Sequence, residues 1–366
     1  MKNILILTAG FGEGHNSAAR GIRAGLAQIG GAQVRVELHD LFSETYGPAN
    51  DWVREAYLGL INHLPQAWAA VYRRLDRQKS YTPNIKPFFT LKKEFRHLLA
   101  RFEPDVIVSV YPAYPHMLDE MLGPAERACG KRVVVVTDSL SVNAIWYRCS
   151  AHYFLLPNER SATVLHEAGI APEKTRTFGF PVSPEFAEPG LCRAPPSPNE
   201  RSRVLYLINS RKSTAPELAQ RLAGVEGIQL TVAFGRDRRL RRSIENIRHF
   251  ALRPFQTVGW SEELPRLLRA SHLLISKAGG ATVQEAFAAG CPMIVNHVIP
   301  GQEEGNARYL VEMNCGRVAG TDDAVIAAVR AVFADNSTLW RTWSKNIAEQ
   351  SKPAASLDIA RFLLSL

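Results

Sequence analysis

Residues 8–21 read TAGFGEGHNSAARG, directly after the apolar run Ile4-Leu5-Ile6-Leu7. An apolar run that passes through a glycine-rich turn into a helical pattern opens a strand–turn–helix unit of a parallel sheet. A dinucleotide-binding turn would read G-x-G-x-x-G here. This chain has Gly10, Gly12 and Gly14, then places His15 where a third glycine is expected. Outward from that turn, residues 16–30 read as a helix and Val34–Leu38 as a strand. Asp105–Val110 and Arg132–Thr137 are further β-branched runs, each after a helical segment. Gly179-Phe180-Pro181-Val182 closes this half.

Residues 185–203 hold Pro189, Pro195, Pro196 and Pro198 and read as a linker. The rhythm then restarts, with strands expected at Val204–Ile208, Gln229–Phe234, Leu273–Ser276 and Pro292–Asn296. Residues 337–366 read as helix broken at Pro353. The fold class is therefore α/β, two Rossmann-like domains facing across a cleft with ligands at the carboxyl ends of the strands. The expected boundaries are 1–184, a linker at 185–203, 204–343, and a helical segment at 344–366 that packs toward the N-terminal domain.

A chain of 366 residues is long enough for two cores. Its net charge of +9 favours an anionic partner such as phosphate groups or an acidic membrane surface. Five scattered cysteines form no C-x-x-C pair, so neither a disulfide framework nor a zinc site is indicated, and a reducing cytosol fits. Met1-Lys2-Asn3 leads straight into a strand, so no secretory signal is expected. No long apolar run is present, so membrane contact would be peripheral.

A second glycine turn, SKAGGATVQEAFAAG at residues 276–290, also joins a strand to a helix. Gly279 and Gly280 let the backbone approach a ligand, and the helix end favours an anion. Glu285 sits where a carboxylate can accept from ribose hydroxyls. The glycines alone fit a tight strand–helix turn equally well. IPGQEEGN, residues 299–306, adds Gln302, Glu303 and Asn306, whose amides and carboxylate suit a ring of sugar hydroxyls. Anion cradle, ribose acceptor and polyhydroxyl clamp together describe a nucleotide-sugar donor.

On GFGEGHNSAA, EPDVIVSVYPAYP, VVVVTDSLSVNAIW, FGFPVSPEF, VAFGRDRRL, VGWSEELPRLLRASHLLISKAGGATVQEA and PMIVNHVIPGQEEGN, the chain resembles a GT-B glycosyltransferase of the monogalactosyldiacylglycerol synthase and processive diacylglycerol glucosyltransferase group. It is more distantly similar to the peptidoglycan GlcNAc transferase. The resemblance implies an inverting transfer from UDP-galactose or UDP-glucose to a lipid acceptor, with His15 as general base beside Gly14. A packed helix-cap histidine is the alternative for His15. Asp138 would orient His15 or touch the acceptor, and Trp146 would stand at the acceptor mouth. Asn143 stands where family members commonly carry a histidine. On the donor side the resemblance places Gly235 and Arg236 at the diphosphate, and Gly259, Trp260 and Ser261 at the uracil. It places Lys277, Ala278, Gly279, Gly280, Ala281 and Thr282 around the diphosphate, Glu285 at the ribose, and Gln302, Glu303 and Asn306 at the hexose or phosphate. INSRKS, residues 208–213, replaces a glycine-rich loop, and Arg211 and Lys212 are expected to compensate by meeting phosphate. A polyprenyl-linked acceptor, a UDP-sugar epimerase and a non-catalytic nucleotide-sugar sensor are the rival readings.

No D-x-D occurs, so no metal and no cofactor is expected, and leaving-group charge falls to backbone N–H groups and Arg236. Residues 51–72 carry Trp52, Tyr57, Leu60, Leu64, Trp68 and Tyr72 near helical spacing. Tyr57 and Trp68 are expected to touch the lipid acceptor at the inner face of the cell membrane. KPFFTLKKEFRHLLARF, residues 86–102, is a basic amphipathic pattern that can lie in an interface, though an apolar stripe at helical spacing is more often core-facing. RDRRLRR, residues 236–242, reads as a solvated helix face. No aromatic platform accompanies it, which disfavours nucleic acid. The oligomeric state is not legible in the sequence.

Overall fold

The computed structural model describes residues 1–10, 13–48, 88–124, 130–138, 142–189, 195–197, 199–261, 263–300 and 303–366. They form two units: residues 1–184 with 300–305 and 354–366, and residues 185–299 with 306–353.

Each unit is built on a six-stranded parallel sheet. The first contains β1 (Lys2–Leu7), β2 (Val34–His39), β3 (Val106–Ser109), β4 (Lys131–Val135), β5 (Tyr153–Leu155) and β6 (Thr175–Arg176), in the order β2-β1-β3-β4-β5-β6. Ile4, Leu5, Ile6 and Leu7 are fully buried. A strand covered on both faces reads as a continuous apolar run for that reason. Alternate residues serve opposite faces. Ile4 and Ile6 join Ile22, Leu26 and Val108 on one side, while Leu5 and Leu7 join Phe95, Tyr114 and Leu118 on the other.

The second sheet contains β7 (Ser202–Leu207), β8 (Ile228–Ala233), β9 (Gln256–Val258), β10 (Leu273–Lys277), β11 (Met293–His297) and β12 (Gly316–Val318), in the order β12-β11-β10-β7-β8-β9. Counted from its own first strand this is the 3-2-1-4-5-6 order of the Rossmann fold. The chain reverses direction across the sheet between β7 and β10. In the first sheet the same reversal falls between β1 and β3.

Two expected boundaries are corrected. Of the stretch 185–203 expected as a linker, the described residues group with the second unit. Arg269 donates to the carbonyls of Glu185, at 3.0 Å, and Glu188, tying that stretch to the second unit, and β7 begins at Ser202. The final segment divides later than residue 344. The helix Thr338–Gln350 buries Trp340 and Trp343 in the second unit's core, and the Trp340 indole donates to the His272 carbonyl at 2.7 Å. Only after the break around Pro353 does the helix Ala355–Ser365 join the first unit, through Ile359, Ala360 and Leu363.

That return depends on a glycine. The helices Glu13–Gly30 and Ala355–Ser365 approach so closely that a Cβ at Gly25 would stand 2.4 Å from the Ser356 carbonyl oxygen. Backbone cannot yield as a flexible side-chain tip can. Gly25→Leu is expected to lower stability by about 1–3 kcal/mol. Thermal unfolding checks it: a midpoint unchanged from wild type contradicts the tight crossing.

Candidate active site

His15 lies in the first turn of the helix that follows β1, at the reversal point of the first sheet. Its Nδ1 is 2.8 Å from the Val110 carbonyl and 3.2 Å from Thr137 Oγ1. A carbonyl only accepts, so Nδ1 carries the proton and Nε2 keeps its lone pair. Val110 follows β3 and Thr137 follows β4, so the ends of three neighbouring strands set one imidazole. Tyr111 meets the ring edge-on at 5.2 Å between centroids, and Trp146 lies tilted at 5.9 Å.

This packing strips water from the ring. Burial, partly opposed by the Val110 carbonyl, lowers the His15 pKa from 6.5 to about 4. The imidazole is therefore neutral near pH 7, as a base must be. Two consequences follow by linkage. A reaction that uses this base is expected to stay level as pH falls toward 4 and then decline, readable in the pH profile of kcat/KM. Stability runs differently, because the unfolded chain takes up a proton near 6.5 that the native chain refuses. The fold should weaken as pH falls from about 6.5 to about 4, with no further loss from this group below that.

The turn around His15 is braced from below. Asp40 accepts from the Gly10 N–H at 2.8 Å and from the Ser43 N–H at 3.0 Å, and Tyr114 donates to the Thr8 carbonyl at 2.7 Å. A Cβ on Gly14 would meet nothing within 4 Å, so space is open beside His15. The contacts to the His15 Nδ1 come from Val110 and Thr137. Asp138 Oδ2 accepts from the Trp146 indole at 2.8 Å and thereby fixes the ring that covers His15. Asn143, expected on the acceptor, caps the Ala144–Trp146 turn by accepting from the Ile145 N–H at 3.0 Å. Tyr57 and Trp68 lie outside the described residues.

The second sheet's reversal point carries residues expected on the donor. Lys277 ends β10, Ala278 is buried, and Gly279 is extended, with φ −63° and ψ 139°, as the cap of the helix Gly280–Ala288. No side chain caps that end, so the first N–H groups, at Gly280, Ala281 and Thr282, are left for an anion. Asn306 was expected at the hexose or phosphate. It is buried, and its Nδ2 donates to the Ala278 carbonyl at 3.1 Å, which holds the glycine turn in shape. Asn209, which the sequence did not single out, reaches Ser276 Oγ at 3.4 Å and Thr282 Oγ1 at 3.5 Å from the end of β7. Glu285 is half-buried one turn further along the helix, and Glu303 is buried. Gln302 lies outside the described residues.

After β8, Gly235 turns with φ 62°, a backbone conformation that suits glycine. The Arg236 guanidinium lies 4.1 Å from the centroid of Trp260, whose ring is exposed. Gly259 precedes that indole, and Ser261 Oγ accepts from the Glu263 N–H at 3.0 Å. Asp237 caps the next helix through the Arg239 and Leu240 N–H groups. The Leu240 N–H bond first, then Lys212 at 2.9 Å, lowers its pKa to about 2. Arg211 and Lys212, expected to meet phosphate, each have a protein partner in this structure. Lys212 is held by Asp237, and Arg211 donates to the Gly320 carbonyl at 3.0 Å. Arg211 has φ 50°, which explains why glycine suits this loop. Among the described residues, no group of three or more His, Cys, Asp or Glu is placed to hold a metal ion, and no helix is long and apolar enough to cross a membrane.

Comparison with solved structures identifies the architecture. The chain aligns over its whole length with the Acinetobacter baumannii MurG structure, at TM-score 0.63 and 12% identity, covering 100% of both chains. It aligns with the spinosyn rhamnosyltransferase SpnG at TM-score 0.56 and 14% identity, covering 99% of this chain and 100% of that one. With two Rossmann-type sheets and these neighbours, the architecture is the GT-B fold. Residues 15–182 match the monogalactosyldiacylglycerol (MGDG) synthase family, and residues 205–357 match the glycosyltransferase family 28 C-terminal domain. Together these two matches mark the chain as a glycosyltransferase. It is 26% identical to monogalactosyldiacylglycerol synthase 1 of Arabidopsis thaliana, over 98% of this chain and 70% of that protein. It is 27% identical to monogalactosyldiacylglycerol synthase 2 of the same plant, over 98% of this chain and 80% of that protein.

Proposed function

We propose that this glycosyltransferase takes galactose or glucose from a uridine diphosphate sugar and places it on a membrane lipid alcohol, with diacylglycerol as the acceptor, at the inner face of the cell membrane. The observation that carries the reading is the His15 imidazole, protonated at Nδ1 by its bond to Val110 and basic at Nε2. Similarity to MGDG synthases along the whole chain supports the lipid acceptor and the hexose.

The acceptor hydroxyl, bound beside His15, gives its proton to Nε2 as its oxygen attacks C1 of the sugar. The C1–O bond to the diphosphate breaks on the opposite face, and the bond pair leaves with UDP. One such displacement inverts the anomeric centre. Developing charge on the diphosphate is met by the N–H groups of Gly280, Ala281 and Thr282, and by Arg236 once it leaves the Trp260 face. Glu285 accepts from the ribose hydroxyls. The imidazolium then returns its proton to solvent.

These groups supply the charge stabilisation without a divalent ion, so transfer is expected to continue in EDTA. Activity lost with EDTA and restored by a divalent cation would overturn that part. The reading as a whole is tested with radiolabelled UDP-galactose and UDP-glucose and dispersed diacylglycerol. Label is expected in the organic phase with one or both donors; label in neither, with UDP still bound, would remove the lipid acceptor.

A further inference from the structure

One surface of the second unit has no role in the mechanism above. The helix Arg238–Arg248 buries Leu240 and Ile244 and turns Arg238, Arg242 and Asn246 outward along one ridge, with Arg239 beside it. Nearby carboxylates are already engaged: Asp237 with Lys212, Glu245 with Arg241, and Glu226 with Arg253. Among the described residues Arg238, Arg239 and Arg242 form no ion pair, so their charge faces solvent. Just past the helix, Phe250 and Leu252 are 81% and 88% exposed. An exposed phenylalanine and leucine two residues apart are costly in water and are not explained by packing.

We infer that the helix Arg238–Arg248, with Phe250 and Leu252 at its end, is a docking surface for an anionic lipid bilayer. Charge complementarity selects this occupant. Three unpaired arginines along one ridge match a plane of phosphate headgroups, and two apolar tips at its end reach the acyl boundary. An acidic protein would match the arginines but would leave the two apolar side chains without a hydrocarbon partner. The helix is capped by Asp237, directly after the Gly235-Arg236 turn, so this contact sets the rim of the donor site against the headgroups. The inference rests on the lipid-acceptor reading for its purpose, but its test does not require transfer.

The test is flotation of the full chain with vesicles of phosphatidylcholine alone or mixed with phosphatidylglycerol, alongside UDP affinity by calorimetry. Wild type is expected to float with the anionic vesicles and to be released by salt. The combined Arg238→Gln, Arg239→Gln and Arg242→Gln variant should bind these vesicles about a hundredfold more weakly, at roughly fivefold for each arginine. Phe250→Ser with Leu252→Ser should weaken binding at high salt, where the apolar contribution remains. UDP affinity and transfer to detergent-dispersed acceptor should hold in both variants. A charge-matched control, Arg266→Gln, Arg317→Gln and Arg330→Gln, removes exposed arginines elsewhere in the unit. Equal loss in that control, or anionic-vesicle binding unchanged in the first variant, would overturn the docking surface. So would UDP affinity falling while vesicle binding stays, because the arginines would then serve the nucleotide. Failure of wild type to transfer sugar, with vesicle binding intact, would count against the lipid-acceptor reading alone.

Discussion

Replacing His15 by alanine is expected to reduce sugar transfer about a hundredfold to ten-thousandfold while leaving UDP affinity near the wild-type value. Loss of a positioned base at neutral pH has that size. UDP affinity is spared because the donor groups belong to the other sheet, at Lys277–Thr282 and Glu285. Removing the ring also takes the donor away from the Val110 carbonyl and opens space beside Tyr111 and Trp146. A stability loss of about 1–3 kcal/mol is expected from the stranded carbonyl. Thermal unfolding run beside the kinetics separates the two effects. Turnover equal to wild type in folded protein would remove His15 from the mechanism.

Gly280→Asp is expected to act in the opposite sense on fold and on donor. An aspartate in the first turn of a helix complements the N–H groups and the dipole, so stability should rise or hold, by about 0.3–1 kcal/mol. Space is available, since a Cβ at Gly280 lies 3.7 Å from Asn306 Nδ2, an ordinary contact. The carboxylate, however, occupies and charges the anion cradle. UDP affinity should fall on the order of a hundredfold, as a good charge-assisted pair is exchanged for repulsion. Calorimetry with UDP measures it. Unchanged affinity would reduce the glycines to a tight turn, the alternative that the sequence left open.

What was legible in the sequence follows from where each signal arises. The central strands β1, β3, β4, β7, β8, β10 and β11 read as apolar, β-branched runs because helices cover both of their faces. β5, β6, β9 and β12 did not. They have three, two, three and three residues, too few for any period to show. The two glycine turns were legible because each interrupts an apolar strand run just before a helical pattern, although the backbone at Gly14, Gly279 and Gly280 would admit a side chain. Val110 was not, because its contribution is a backbone carbonyl and any residue supplies one. The amides of Asn143 and Asn306 looked like ligand groups, and in the structure Asn143 caps its own turn while Asn306 donates to the Ala278 carbonyl of the glycine turn. Residue type gives hydrogen-bonding capacity but not the partner that uses it. Asp138 and Thr137 show the same limit: adjacent residues with similar capacity divide their work by geometry, one to Trp146 and one to His15.

The account places the nucleotide on the second sheet and the base on the first. A crystal structure with UDP bound tests that division most directly. The diphosphate is expected against the N–H groups of Gly280, Ala281 and Thr282, with the ribose at Glu285 and the His15 Nε2 unoccupied. UDP seated instead beside His15, with the Gly279-Gly280 turn empty, would contradict it.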